Sequence, residues 1–187
     1  MNDTTSGVPR GTTDMDAITR EELQLAARNH GMPLEALQHD LTPVGLHYLL
    51  IHYDIPVVDR DAWRLSVGGQ VRRPLELSLD DLLRRPAVTQ PVTMECAGNG
   101  RARLTPRAIS QPWLFEAVGT AEWTGVPLAL LLDEAGVAAE AVELVFSGLD
   151  RGVESGVEQS YERSLTVAEA RRDEVLLAYA INNVVVS

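Results

Sequence analysis

Val92-Thr93-Met94-Glu95-Cys96-Ala97-Gly98-Asn99-Gly100-Arg101 is the most informative stretch of the chain. It opens as a strand, with Val92 and Met94 two residues apart and so on one face. It then passes into Ala-Gly-Asn-Gly, small residues that accept a tight turn and positive φ without strain. Cys96 therefore stands where a strand ends and a loop begins. The small side chains after it leave room for a large group to approach the sulfur, and exposed backbone N–H groups can donate to that group. Arg101 follows closely and carries the planar fork of donors that grips an oxyanion through two parallel hydrogen bonds.

Residue type and spacing leave several readings of Cys96 open. A lone cysteine can be a small buried hydrophobe, and Cys-Ala-Gly-Asn-Gly can be a plain hairpin turn. Structural zinc asks for about four Cys or His ligands in paired spacing, whereas this chain has one cysteine and four scattered histidines. A cysteine nucleophile would need a base such as His47 or His52, and no spacing ties either to Cys96.

Outward from this loop, local signals punctuate the chain. Thr19-Arg20-Glu21-Glu22 has capping-box spacing and predicts a helix through Arg28 that stops at Gly31, with Pro33 just beyond. Trp63, Leu65 and Val67 alternate with smaller or polar residues as in a half-buried strand. Ser78-Leu79-Asp80-Asp81 and Thr166-Val167-Ala168-Glu169 start two short helices, the first closed by Pro86. A further helix opens with Pro127 in its first turn and ends before Gly136. Residues 141–146 and 175–180 read as strands. Short strands and short helices alternate without the rhythm of a bundle or a βαβ repeat, so the expected class is α+β with a mixed β-sheet. Residues 1–17 read as a loosely attached arm, and 18–187 as one domain.

Composition narrows the partners. The 187 residues carry 27 acidic and 16 basic side chains, a formal net charge of −11. Such a field repels a phosphate backbone, so nucleic acid is not an expected partner. No apolar run reaches membrane-spanning length, so no membrane insertion is expected. Residues 1–7 lack the features of a secretory signal, which makes the cytoplasm the expected location.

The Cys96 loop resembles the cofactor loop of the sulfite-oxidase family of molybdopterin-dependent oxidoreductases. Collinear segments extend the resemblance over about residues 43–183: His52-Tyr53-Asp54-Ile55-Pro56, Trp63–Val67, Arg73–Leu82, Ala121–Leu128, Tyr161-Glu162-Arg163-Ser164-Leu165 and Leu176–Tyr179. The resemblance implies a molybdenum-molybdopterin cofactor with Cys96 as thiolate ligand to the metal. It also implies Arg101 as the residue that holds the substrate anion, and oxygen-atom transfer to or from a small sulfur compound such as sulfite. A thiolate is a soft, strongly donating ligand, which suits a metal otherwise held by the sulfurs of a pterin. The substrate would be a small anion or S-oxide, and a separate one-electron carrier would take the electrons.

Other implied contacts lie further from the loop. Sulfite oxidases proper carry an arginine and a histidine near the cofactor where this chain has His52 and Asp54. Asp150, within Gly148-Leu149-Asp150-Arg151-Gly152, matches an aspartate near the pterin. Tyr161 is expected to pack on the sheet, and Trp113 and Trp123 to serve as core or cofactor-shielding residues. Family members continue past the segment matched by Asn183 through a Gly- and Pro-rich stretch that holds the pterin phosphate. The expectation is thus a domain lacking its usual C-terminal part. The alternative reading is a cofactor-free remnant or interaction domain of the same fold.

Overall fold

The computed structural model describes residues 25–154 and 156–185. The arm expected over residues 1–17 and the capping box expected at Thr19 lie outside them. Of the first expected helix, the described end stops short of Gly31. The Asn29 N–H still reaches Leu25 O at 3.1 Å, but His30 already bridges to Leu49 and the Met32 N–H donates to Glu116 O. Tertiary partners take over the backbone one residue before the glycine.

In chain order the elements are β1 (Leu65–Val67), β2 (Leu75–Leu77), α1 (Leu79–Leu83), β3 (Val88–Glu95), β4 (Val118–Pro127), α2 (Leu128–Ala135), β5 (Glu143–Glu154), β6 (Val157–Thr166), α3 (Val167–Ala170), β7 (Leu176–Ile181) and β8 (Val184–Val185). The strands divide among three sheets: β1-β2, β3-β4-β7-β8 and β5-β6. Every pairing among the described residues is antiparallel. The class is α+β, with short helices between the strands.

Capping sets the helices. Ser78 and Asp81 form a reciprocal box at the start of α1, and Thr166 and Glu169 do the same for α3. Pro127 stands one residue earlier than expected. It closes β4 opposite Leu176 with extended ψ, and α2 begins at the next residue. Gly136, at φ +68, ends α2 in the left-handed conformation that a glycine adopts without strain.

Helix α2 joins two apolar clusters through the four-residue spacing that stacks side chains on one face. Leu131 and Ala135 meet Leu75, Leu77, Leu82 and Val126, whereas Leu128 and Leu132 meet Ala170, with Leu144 and Leu165 packed alongside. Burying a leucine side chain contributes about 2 kcal/mol, so α2 fastens the small β1-β2 sheet and the β5-β6 hairpin to the same central strands.

The pairing of β3 with β4 positions the site. Their register ends with Glu95 opposite Val118, and the Cys96 N–H adds one more bond, to Ala117 O at 2.9 Å. Residues 96–117 leave the sheet between these strands, so the cysteine is the last residue fixed by the ladder before a long excursion. Excursions of that length without regular strands or long helices commonly carry function.

Candidate active site

A cavity of about 720 Å³ opens beside Cys96. The cysteine is half-buried and unbridged, and the Gly98 N–H donates to its Sγ at 3.4 Å. Cys96 O accepts from the Asn99 N–H at 2.8 Å, and Gly98 O from the Arg101 N–H at 3.0 Å, which winds residues 96–101 into consecutive turns. Asn99 closes the base of the excursion. Its Nδ2 donates to Glu95 Oε1 (2.9 Å) and Phe115 O (3.3 Å), while its Oδ1 accepts from the Ala117 N–H (3.2 Å). The sequence pattern marked Asn99 only as a turn former.

Arg101 folds back over its own loop. Its Nη1 donates to Ser110 Oγ at 2.7 Å, and a Cβ at position 98 would sit 2.6 Å from its Nη2. Glycine at 98 is thus what lets the guanidinium lie against the turn and face the cavity. His52 is exposed at the wall of the same cavity, with its ring edge-on to Tyr161 at 5.0 Å between centroids.

The structure brings Cys96, Arg101 and His52 to one cavity but leaves Asp54 and Asp150 out of its lining. Asp54 Oδ1 accepts from the Arg151 N–H at 2.8 Å, so it ties the segment after His52 to β5. Asp150 lies at the irregularity of β5 between Ser147 and Arg151, with its carboxylate folded over Gly148.

Four more lining residues carry chemistry: His47, weighed from the sequence only as a base for a cysteine nucleophile, Trp113 and Trp123, expected as core or cofactor-shielding residues, and Arg163, given no role. His47, Trp113 and Trp123 each present a buried ring nitrogen, Nε2 or Nε1, without a hydrogen-bond partner among the described residues. Buried polar atoms are ordinarily paired, so three orphans around one cavity call for a ligand. His47 Nδ1 lies 3.0 Å from Tyr48 O. A carbonyl only accepts, so in the neutral ring the proton sits on Nδ1 and Nε2 is an acceptor. Their rings line the cavity, although the nitrogens themselves are covered, that of His47 by Gly119 of β4, and flat indole and imidazole faces suit a planar ring system. Arg163, from β6, is the fourth. Tyr48 also lines the wall, and its hydroxyl pKa is raised above the usual 10.0 by burial, then by the negative charges of Cys96 and Glu95.

Among the described residues, no group of three or more His, Cys, Asp or Glu side chains could hold a metal ion. A metal at Cys96 would need its other ligands from a bound group. A cofactor that brings its own sulfurs supplies them, so the donor set and the orphan nitrogens both fit a pterin-bound metal.

These features set a half-buried cysteine beside a large cavity on an α+β scaffold. The model of the oxidoreductase molybdopterin binding domain matches residues 52–186, and the chain belongs to that family. Its cofactor is accordingly a molybdenum-bearing molybdopterin. The chain is 34% identical over 165 residues to nitrate reductase [NADH] 1 of Nicotiana tabacum, covering 82% of this chain and 18% of that protein. It is also 34% identical over 149 residues to a nitrate reductase [NADH] of Ulva prolifera, covering 76% and 17%. The chain thus spans less than a fifth of these relatives. The sulfane dehydrogenase SoxCD of Paracoccus pantotrophus shares the fold, with a TM-score of 0.66 and 23% identity over 100% of this chain and 48% of that one. No helix among the described residues is long and apolar enough to cross a membrane.

Proposed function

We propose that this domain binds molybdenum through the Cys96 thiolate and catalyses oxygen-atom transfer involving a small sulfur oxyanion such as sulfite. The observation that carries the reading is the convergence of Cys96, Arg101 and His52 on one cavity whose lining also includes the rings of His47, Trp113 and Trp123. When bound, the cofactor supplies the two-electron redox chemistry and the exchangeable oxygen.

The chain's own residues do the rest. Cys96 anchors the metal from the end of β3, where the sheet fixes its backbone. Arg101, steadied by Ser110, orients a substrate oxyanion through charge-assisted hydrogen bonds. The indoles of Trp113 and Trp123 and the imidazole of His47 hold the pterin rings and exclude water from its face. His52 stands at the wall where the substrate enters, and a separate one-electron carrier removes the electrons afterwards. In this reading Asp54 and Asp150 support the cofactor site through the β5 backbone they contact.

The test is X-ray absorption at the molybdenum edge on protein purified from a host that makes molybdopterin. Cys96→Ser should lose one sulfur from the metal's coordination shell and lose sulfite-dependent turnover. An unchanged sulfur count would remove Cys96 from the metal.

A further inference from the structure

Two guanidinium groups line the cavity, and the function proposed above uses only Arg101. The second, Arg163, reaches the wall from β6. Its Cζ lies 4.2 Å from the centroid of the Tyr161 ring, and its Nη1 donates to Glu162 O at 2.6 Å. Among the described residues that is its one hydrogen bond, which leaves most of its five donors available to a ligand.

The placement of this cation is built rather than incidental. Tyr161 carries Arg163 by the cation–π contact and also meets His52 edge-on. Tyr53 packs on Tyr161 with centroids 6.2 Å apart, lies against the backbone of Gly152, and donates its hydroxyl proton to Glu154 Oε2 at 3.0 Å. The aromatic stack is thereby fixed to both strands of the β5-β6 hairpin. The carboxylate in the lining, Glu95, is already engaged by Asn99. The wall carries Arg101 and Arg163 beside Glu95 and the Cys96 thiolate of the reading above, in a chain whose formal net charge is −11. Two guanidinium groups on one wall concentrate positive charge locally on an acidic protein.

We propose that Arg163 is a specificity-determining residue that makes the site favour small doubly charged oxyanions over singly charged ones. The inference rests on the reading of the cavity as an anion-processing molybdenum site and adds the residue that sets its charge preference. Coulomb attraction scales with ligand charge, so at equal distance a dianion gains twice the free energy from one cation that a monoanion gains. Removing Arg163 therefore weakens dianion binding by about the square of the factor for a monoanion. The residue is exposed, so the effect shrinks as salt shortens the screening length.

The experiment uses the full-length chain loaded with cofactor, with sulfate and nitrate as probes. Equilibrium dialysis with labelled sulfate gives one Kd, and competition by nitrate gives the other. Arg163→Gln should weaken sulfate about 10-fold and nitrate about 3-fold at low ionic strength. Molybdenum content per chain should stay constant, and the loss should be smaller at high salt. Arg163→Lys keeps the charge without the planar stack and should fall between the two proteins. Unchanged sulfate binding in molybdenum-replete Arg163→Gln overturns this inference alone, as does an equal loss for both anions. Molybdenum lost from Arg163→Gln reassigns the residue to the cofactor and also overturns it. Wild-type protein that takes up no molybdenum overturns the function proposed above, and this inference with it.

Discussion

Gly98 shows how much of the site hangs on one missing side chain. Its N–H points at the Cys96 sulfur, and its Cα faces the Arg101 guanidinium at a distance no Cβ could share. The colliding atoms are the far end of a flexible side chain, so Gly98→Ala should displace the arginine rather than the backbone. We expect a stability loss under about 1 kcal/mol, an intact sulfur shell at the metal, and a KM for sulfite raised to the value of Arg101→Lys or beyond. Thermal melting and steady-state kinetics on the same preparation check this. A KM equal to wild type would mean that the position of Arg101 does not matter to substrate capture. Cys96 and Arg101 were singled out by the resemblance carried by ten consecutive residues, since residue type and spacing alone left Cys96 open, and the structure sets both at one cavity. Arg163 was not, and His47 could not be tied to Cys96, because only tertiary pairing brings residues so distant in sequence to one cavity.

At the scale of elements, the helix starts stood out in the sequence because a capping box is a four-residue pattern that needs no partner. Ser78 Oγ accepts from the Asp81 N–H at 3.1 Å, and Asp81 Oδ2 accepts from the Ser78 N–H at 2.9 Å. The Ser78 hydroxyl also donates to Asp81 Oδ2 at 2.6 Å, and this bond first, then the one from the Ser78 N–H, holds the Asp81 carboxyl at about 2 instead of 3.8; the same arrangement with Thr166 lowers Glu169. A carboxyl with a depressed folded pKa stabilises the fold above its unfolded value, and the contribution is lost as pH falls through the folded value. Ser78→Ala removes the N-cap of α1 and should cost about 1 kcal/mol near neutral pH. Its melting temperature should converge with that of wild type between about pH 4 and pH 2. A gap that stays constant over that range would show that the box is not the source of the shift. The strands were harder to read. β4 contains Gly119, Gly125 and Pro127, residues that a strand usually avoids, yet it is central between β3 and β7. At Gly125 the backbone of β7 approaches too closely for any side chain, beside a register shift. β5 begins two residues later than expected and runs on to Glu154 across its irregularity, which Gly148 and Gly152 disguise as a turn.

For the whole molecule, the cavity joins segments that the sheets hold only indirectly. Its walls come from residues 47–52, 94–113 and 161–163, together with Leu25 and Trp123. The fastenings between them are few. Asn29 bonds both Gln111 and the Ile51 N–H, Arg28 reaches Tyr53 O, and Asp54 accepts from the Arg151 N–H. A ligand that touches all three segments acts as a cross-link present in the native state alone, and stabilises it by RT ln(1 + [L]/Kd). Saturation at about a thousand times Kd corresponds to roughly 4 kcal/mol, and for a chain of this size each kcal/mol raises the melting temperature by about 2 to 4 °C. Protein made in a host with molybdopterin should thus melt roughly 8 to 16 °C above the same chain made in a host without it. Hydrogen exchange locates the gain. Protection should rise at residues 47–52 and 110–113, where few backbone bonds exist, and change little within the β3-β4 ladder, which is already complete. Equal melting temperatures at near-stoichiometric molybdenum would mean that the cofactor touches the Cys96 turn alone. The orphan nitrogens of His47, Trp113 and Trp123 would then have to find their partners elsewhere.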